Sequence, residues 1–195
     1  MSTAVAVPPR VLADLVPRVR ARDAVLVVAA AALTAACSQI SFHIPGTPVP
    51  VTGQTFAVLL SAAALGANRG AAAMLLYLLL GVVGVPVYAG GDGGVEIVTG
   101  ALGGYLVAFL IVGWVVGRLA EARMDRTPIR ALPLFLIGSA IVYAIGVPWL
   151  AVSAHESLGW GISHGFTSFI PGDLVKAAAA AALLPVAWRV AGRGH

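Results

Sequence analysis

Charge is what this sequence has least of. Only 10% of its 195 residues are Asp, Glu, Lys or Arg, while 59% are hydrophobic and the mean hydropathy is +0.96. Soluble domains carry about 25% charged residues. Too few charges remain here to coat a water-exposed surface, which excludes an ordinary soluble globular domain. The length leaves room for one bundle and no second domain of ordinary size. Cysteine is nearly absent. Cys37 stands alone, so no intramolecular disulfide is possible and the compartment stays open. Inside an apolar run it reads as a small packing residue. No GxxxxGK[ST] phosphate loop is present, which excludes ATP binding by that device. The run Gly90-Gly91-Asp92-Gly93-Gly94 does not fit the dinucleotide fingerprint. His43, His155, His164 and His195 have neither HExxH spacing nor cysteine partners, so neither a metal site nor any cofactor is expected.

What the chain does have is apolar length. Six hydrophobic segments cover residues 24–40, 53–65, 71–85, 101–120, 131–152 and 170–190. Crossing the hydrocarbon of a bilayer takes about 20 residues, with a range of about 17 to 25. The first, fourth, fifth and sixth segments meet that length. The second and third are short, which suits helices tilted into a cavity or capped by loop backbone. The basic stretch before the first segment resembles a signal-peptide n-region. However, residues 39–50 lack a small-x-small cleavage site, so a retained first helix is expected.

The cations support six spans over four. Arg10, Arg18, Arg20 and Arg22 precede the first segment, and Arg69 falls in the link between the second and third. Arg118, Arg123, Arg126 and Arg130 fall around the link between the fourth and fifth, and Arg189 and Arg193 close the chain. In a six-helix weave these eleven of the twelve cations share one side, while the opposite links (41–52, 86–100 and 153–169) hold none. The positive-inside rule then puts both termini in the cytoplasm. It also accounts for the net charge of +4 without nucleic acid. The expectation is an all-α membrane protein of six transmembrane helices. A cytoplasmic arm covers residues 1–23, the bundle 24–190 and a cytoplasmic tail 191–195.

The twelfth cation is Lys176, inside the last apolar segment. An ionisable residue within a bilayer marks a functional site by default. Asp173 lies three residues earlier, on the same helical face. A purely structural pair would also place Asp173 favourably in a first turn after Pro171. The pair is better used facing a cavity that holds a polar ligand. Two unusual links flank it on the same side. Residues 41–52, SFHIPGTPVPVT, carry three prolines and a glycine that rule out a regular helix and favour a stiff extended loop. Residues 86–100, PVYAGGDGGVEIVTG, are glycine-rich, which suits a lid or a plain linker.

Two further patterns have bland explanations. Gly161-Ile-Ser163-His-Gly165 fits GxSxG, the signature of a serine hydrolase. That motif needs a strand-turn-helix above a sheet, and here it lies in a link between membrane helices. An intramembrane hydrolase using Ser163 is therefore a minor alternative. Ala31 with Ala35, Ala32 with Ala36, and Gly113 with Gly117 are spaced four apart, and 177–182 are alanines. Such faces let membrane helices approach closely, either within the bundle or against a partner.

Several blocks taken together resemble the BioY family, the biotin-specific substrate-binding (S) components of energy-coupling factor transporters. They are Thr47-Pro-Val-Pro-Val-Thr-Gly-Gln-Thr55, Leu76-Tyr-Leu-Leu-Leu-Gly81, Gly84-Val-Pro-Val-Tyr-Ala-Gly-Gly91, Gly103-Gly-Tyr-Leu106 and Pro171-Gly-Asp-Leu-Val-Lys176. The chain departs from the pattern at Gly100-Ala101-Leu102, where Gly-Pro-Thr is expected, and at Glu96. The resemblance implies an S component in a bacterial plasma membrane, binding biotin at the outer side as transported substrate. It implies work with a transmembrane T component and two ATPase subunits, docked through Ala31, Ala32, Ala35 and Ala36. An S component for a different vitamin is the nearest alternative. The ureido ring of biotin offers two N–H donors and a carbonyl, which suits Asp173 and Lys176 as readers of the ligand's polar groups. Tyr88 and Tyr105 suit covering the thiophane ring while offering a hydroxyl. Gln54 and Thr52 suit either ligand contact or a cap on the second helix. Gly90, Gly91 and Gly104 would allow close backbone approach.

Overall fold

A computed structural model of the chain describes residues 10–16 and 21–192; Arg18, Arg20 and Arg193 therefore lie outside the described residues. Among the described residues eight α-helices follow one another: α1 Arg22–Ser38, α2 Gln54–Leu65, α3 Ala67–Val82, α4 Val95–Thr99, α5 Gly103–Glu121, α6 Pro128–Ser153, α7 Leu158–Gly165 and α8 Ile170–Gly192. The six apolar segments correspond to α1, α2, α3, α5, α6 and α8. One small amendment to an all-α architecture is needed. Ser41–Phe42 (β1) pairs antiparallel with Val51–Thr52 (β2), with Ser41 opposite Thr52 and Phe42 opposite Val51. Pro45, Pro48 and Pro50 lie between or beside these strands and lack the N–H that would extend the ladder. The proline-rich link is thus a loop tied at its base.

Among the described residues, three helical stretches are long and apolar enough to cross a membrane: Gly103–Glu121, Pro128–Ser153 and Leu158–Val190, the last running through α7 and most of α8. With 17 residues, α1 reaches about 26 Å, just under the thickness of the hydrocarbon. With 12 residues, α2 reaches only about 18 Å. Its position explains how so short a helix is tolerated. It packs against α1, α3, α5 and α8, and eight of its residues are buried. Its ends therefore meet protein rather than lipid, where irregular backbone is permitted.

Gly66 separates α2 from α3 at φ +83, a left-handed conformation that side-chain-bearing residues rarely adopt. Because that single residue completes the turn, α3 begins at Ala67 rather than at residue 71. Arg69 consequently sits on the first turn of α3 and not in a link. The crossing of α3 and α5 is backbone on backbone. A Cβ added at Gly113 would lie 2.9 Å from the Gly70 oxygen, and one at Gly117 would collide with the Ala67 nitrogen. Gly113 and Gly117 therefore serve packing within the bundle. On α8, Ala177, Ala180 and Ala181 face inward.

Ionic groups gather at one end. Arg69 reaches both Asp14 and Asp23 at 3.2 Å, and Arg22 pairs with Asp23 at 2.9 Å. Glu121 accepts the Ala67 N–H at 2.9 Å and pairs with Arg118 at 2.9 Å. Nearby, the buried Asp125 accepts the Trp188 indole N–H at 2.6 Å and ties the α5–α6 link to the end of α8. Burial pushes the Asp125 carboxyl up, and the Trp188 bond and the Arg126 charge pull against it. At the opposite end, the link after α3 is fastened by side chains. Ser38 donates to the Val87 oxygen at 2.7 Å, Tyr77 to the same oxygen at 3.0 Å, and Gln39 to the Tyr88 oxygen at 3.1 Å.

Candidate functional site

The site forms at the end away from the ionic cluster, where α8 begins. Pro171 is compatible with a first helical turn because its missing N–H is not needed there. Two residues on, Asp173 points into the bundle and is 8% exposed. Lys176 returns from the next turn and places Nζ 2.9 Å from Asp173 Oδ1. The same ammonium donates to Thr55 Oγ1 at 3.3 Å. The other carboxylate oxygen, Oδ2, accepts the hydroxyl of Tyr143 from α6. Two unlike charges largely withdrawn from water, at 18% and 10% side-chain exposure, are held by each other and by further hydrogen bonds.

These groups border a cavity with about 570 Å³ of empty space, part of it open to solvent. Its walls come from seven regions. The proline-rich loop supplies Val49, Pro50 and Thr52, and α2 supplies Gln54 and Thr55. The link after α3 supplies Tyr88 and Ala89, and α5 with the turn before it supplies Leu102, Tyr105, Leu106 and Phe109. Val142 and Tyr143 come from α6, Phe169 from the turn before α8, and Asp173 with Lys176 from α8 itself. Mostly apolar walls with a few convergent polar groups are the usual make-up of a small-molecule site.

Six of the residues singled out in the sequence thus share one cavity: Thr52, Gln54, Tyr88, Tyr105, Asp173 and Lys176. Their chemistry there is more specific than the sequence suggests. The Thr52 hydroxyl donates to Gln54 Oε1 at 3.0 Å and accepts the Gln54 backbone N–H at 3.3 Å. Gln54 in turn donates through Nε2 to the Tyr77 hydroxyl. The tyrosine hydroxyls expected to face a ligand are already engaged with backbone. Tyr105 donates to the Gly165 oxygen at 2.9 Å and Tyr88 to the Leu78 oxygen at 2.7 Å. Both tyrosines are buried and line the cavity.

The three glycines do not line the cavity. Gly104 is a packing position, where a Cβ would collide with Trp149 Cβ on α6. Gly90 and Gly91, at φ +77 and +79, are exposed and turn the chain back after Tyr88. On α1 the alanines divide. Ala31 is buried and Ala35 half-buried, so that pair packs inside the bundle, whereas Ala32 and Ala36 are exposed. Ser163 lies within α7, where its hydroxyl donates to the Trp160 oxygen at 2.9 Å. The strand-turn-helix that a nucleophile elbow requires is replaced by helix. Gly165 of the same motif is a contact point, since a Cβ there would collide with the Tyr105 hydroxyl.

Sequence reasoning passed over Thr55 and Tyr143. The only signal for Tyr143 is a hydroxyl-bearing ring in the middle of an apolar span, which costs too little to stand out as a charge does.

Comparison with known proteins places this chain in a group. A model described as the BioY family matches residues 10–193. A protein of Rhizobium etli named biotin transporter BioY is 35% identical over 173 residues, covering 83% of this chain and 90% of that protein. Its namesake in Thermotoga maritima is 41% identical over 138 residues, covering 71% of this chain and 80% of the relative. Among solved structures, the S-component for biotin from an ECF-type ABC transporter superposes with a TM-score of 0.80 at 24% identity, covering 87% of this chain and 92% of that one. That likeness concerns the fold.

Proposed function

We propose a function that starts from family: this chain belongs to the BioY family. It is the biotin-binding S component of an energy-coupling factor transporter. It captures biotin at the outer face of a bacterial plasma membrane and hands it on for import. The carrying observation is the cavity that joins Asp173, Lys176 and Thr55 to a wall of Tyr105, Phe109 and Phe169. Biotin presents the matching chemistry. The ureido N–H groups suit a carboxylate acceptor, and ligand oxygens suit an ammonium donor. The bicyclic body and aliphatic chain suit the apolar wall.

Six membrane passages are formed by α1, α2, α3, α5, α6 and α8, with both termini cytoplasmic. Two observations support this. Arginines and their carboxylate partners meet at one end, and Lys176 lies at the other. A T component and two ATPase subunits, the partners that the family resemblance implies, supply the energy; the lack of a phosphate loop in this sequence agrees with energy coming from another chain. The exposed half of the α1 alanine surface, Ala32 and Ala36, is the part available to a T component.

A thermal-shift panel of water-soluble vitamins on purified protein tests the ligand. Biotin at a hundred times its dissociation constant stabilises the folded state by about 2.7 kcal/mol and raises the melting point. A panel in which biotin is silent and another vitamin stabilises would replace biotin with that vitamin.

A further inference from the structure

The biotin reading, on which this inference rests, leaves Tyr143 without a role. Its side chain belongs to α6, whereas Asp173 and Lys176 belong to α8. Lys176 holds Asp173 Oδ1 at 2.9 Å, and the Tyr143 hydroxyl donates to Oδ2. The two donors therefore grip opposite oxygens from different helices. Rotation of an aspartate carboxylate about its last bond has only broad preferences. One donor from its own helix leaves that rotation poorly set, and a second donor on the other oxygen fixes the plane. Each oxygen keeps a lone pair for a further donor.

Tyr143 is itself held. Its ring meets Phe166 edge-on at a centroid distance of 4.8 Å and Tyr105 at 6.5 Å. Tyr105 is anchored in turn by its bond to the Gly165 oxygen at 2.9 Å. A fixed donor of this kind also opposes a competing arrangement. Without it, Asp173 can turn both oxygens toward the Lys176 ammonium. The charged groups of the site would then satisfy each other and withdraw from the ligand.

We propose that Tyr143 is a positioning residue that aims the Asp173 carboxylate at the ligand's N–H donors and keeps it from closing on Lys176. Affinity gained this way comes from preorganisation. A double-variant cycle reads it directly, with biotin affinity measured by calorimetry up to concentrations that saturate the weakest variant. Tyr143→Phe keeps the ring and its contacts and is expected to weaken biotin binding about tenfold, equivalent to about 1.4 kcal/mol. In an Asp173→Ala background the same change is expected to alter affinity less than about twofold, because no carboxylate remains to aim. Phe166→Leu, which loosens the Tyr143 ring without removing the hydroxyl, is expected to act in the same direction and only when Asp173 is present. No weakening by Tyr143→Phe in the parent would overturn the proposal. Equal weakening in both backgrounds would overturn it too, because the hydroxyl would then touch the ligand or merely support packing. Failure of the parent to bind biotin is a separate result that removes the biotin reading. The cycle is then run with the vitamin that stabilises the parent, and the same two results support or overturn the role of Tyr143.

Discussion

The buried hydroxyls of Tyr77, Tyr88 and Tyr105 are bonded to backbone oxygens before any ligand arrives. Tyr105→Phe should therefore separate stability from binding. Losing the bond to the Gly165 oxygen costs about 0.5–1.5 kcal/mol of stability, visible as a lower melting point. Biotin affinity should stay within about threefold of the parent, because that hydroxyl is already committed to the Gly165 oxygen. Lys176→Ala should behave differently. It leaves Asp173 in the bundle with its neutral Tyr143 partner alone, so both affinity and melting point fall, the latter by up to about 3 kcal/mol of stability. The Asp173–Lys176 pair is legible from sequence for a physical reason. Charge inside an apolar run is costly, and a spacing of three puts both groups on one helical face. Tyr143 and Thr55 are not legible. Their cost in an apolar helix is small, and their partners are fixed only when α6 and α2 are brought against α8.

Hydropathy locates the membrane helices but not all their limits or their roles. Its weakest point is α7, which lies within the 153–169 link between the fifth and sixth apolar segments. In the fold the glycines of α7 let it press on α6 and on Tyr105. The shortness of α2 is legible, and its reason is not: only the packing of four helices around it shows that its ends avoid lipid. Spacing alone also cannot assign the small-residue faces. The four-residue repeats at Gly113, Ala31 and Ala32 look alike, yet the first is a backbone crossing, the second packs inside the bundle and the third is exposed. Gly113→Ala tests the crossing. The added methyl meets the Gly70 backbone, which cannot swing aside as a side chain can. It should cost about 1–3 kcal/mol of stability in a detergent melt. Because Gly113 does not line the cavity, the protein that remains folded should bind biotin as the parent does.

Across the bundle as one body, function follows from a segregation of charge. Paired arginines and carboxylates anchor one end, and an ammonium-carboxylate pair is retained at the other beneath two loops. Cysteine labelling tests the orientation. In a Cys37→Ser background, a membrane-impermeant maleimide added to intact cells should modify Glu156→Cys and spare Arg130→Cys, which stand at opposite ends of α6. Labelling of Arg130→Cys alone would invert the topology. Whether Asp173 reads biotin is decided by calorimetric titration of biotin into purified parent and Asp173→Asn protein. Binding to the parent should be saturable. The variant should lose about 1.5–3 kcal/mol, tenfold or more in affinity, through removal of a charge-assisted contact. Biotin binding of equal strength in both proteins would contradict the assignment of Asp173 to the ligand.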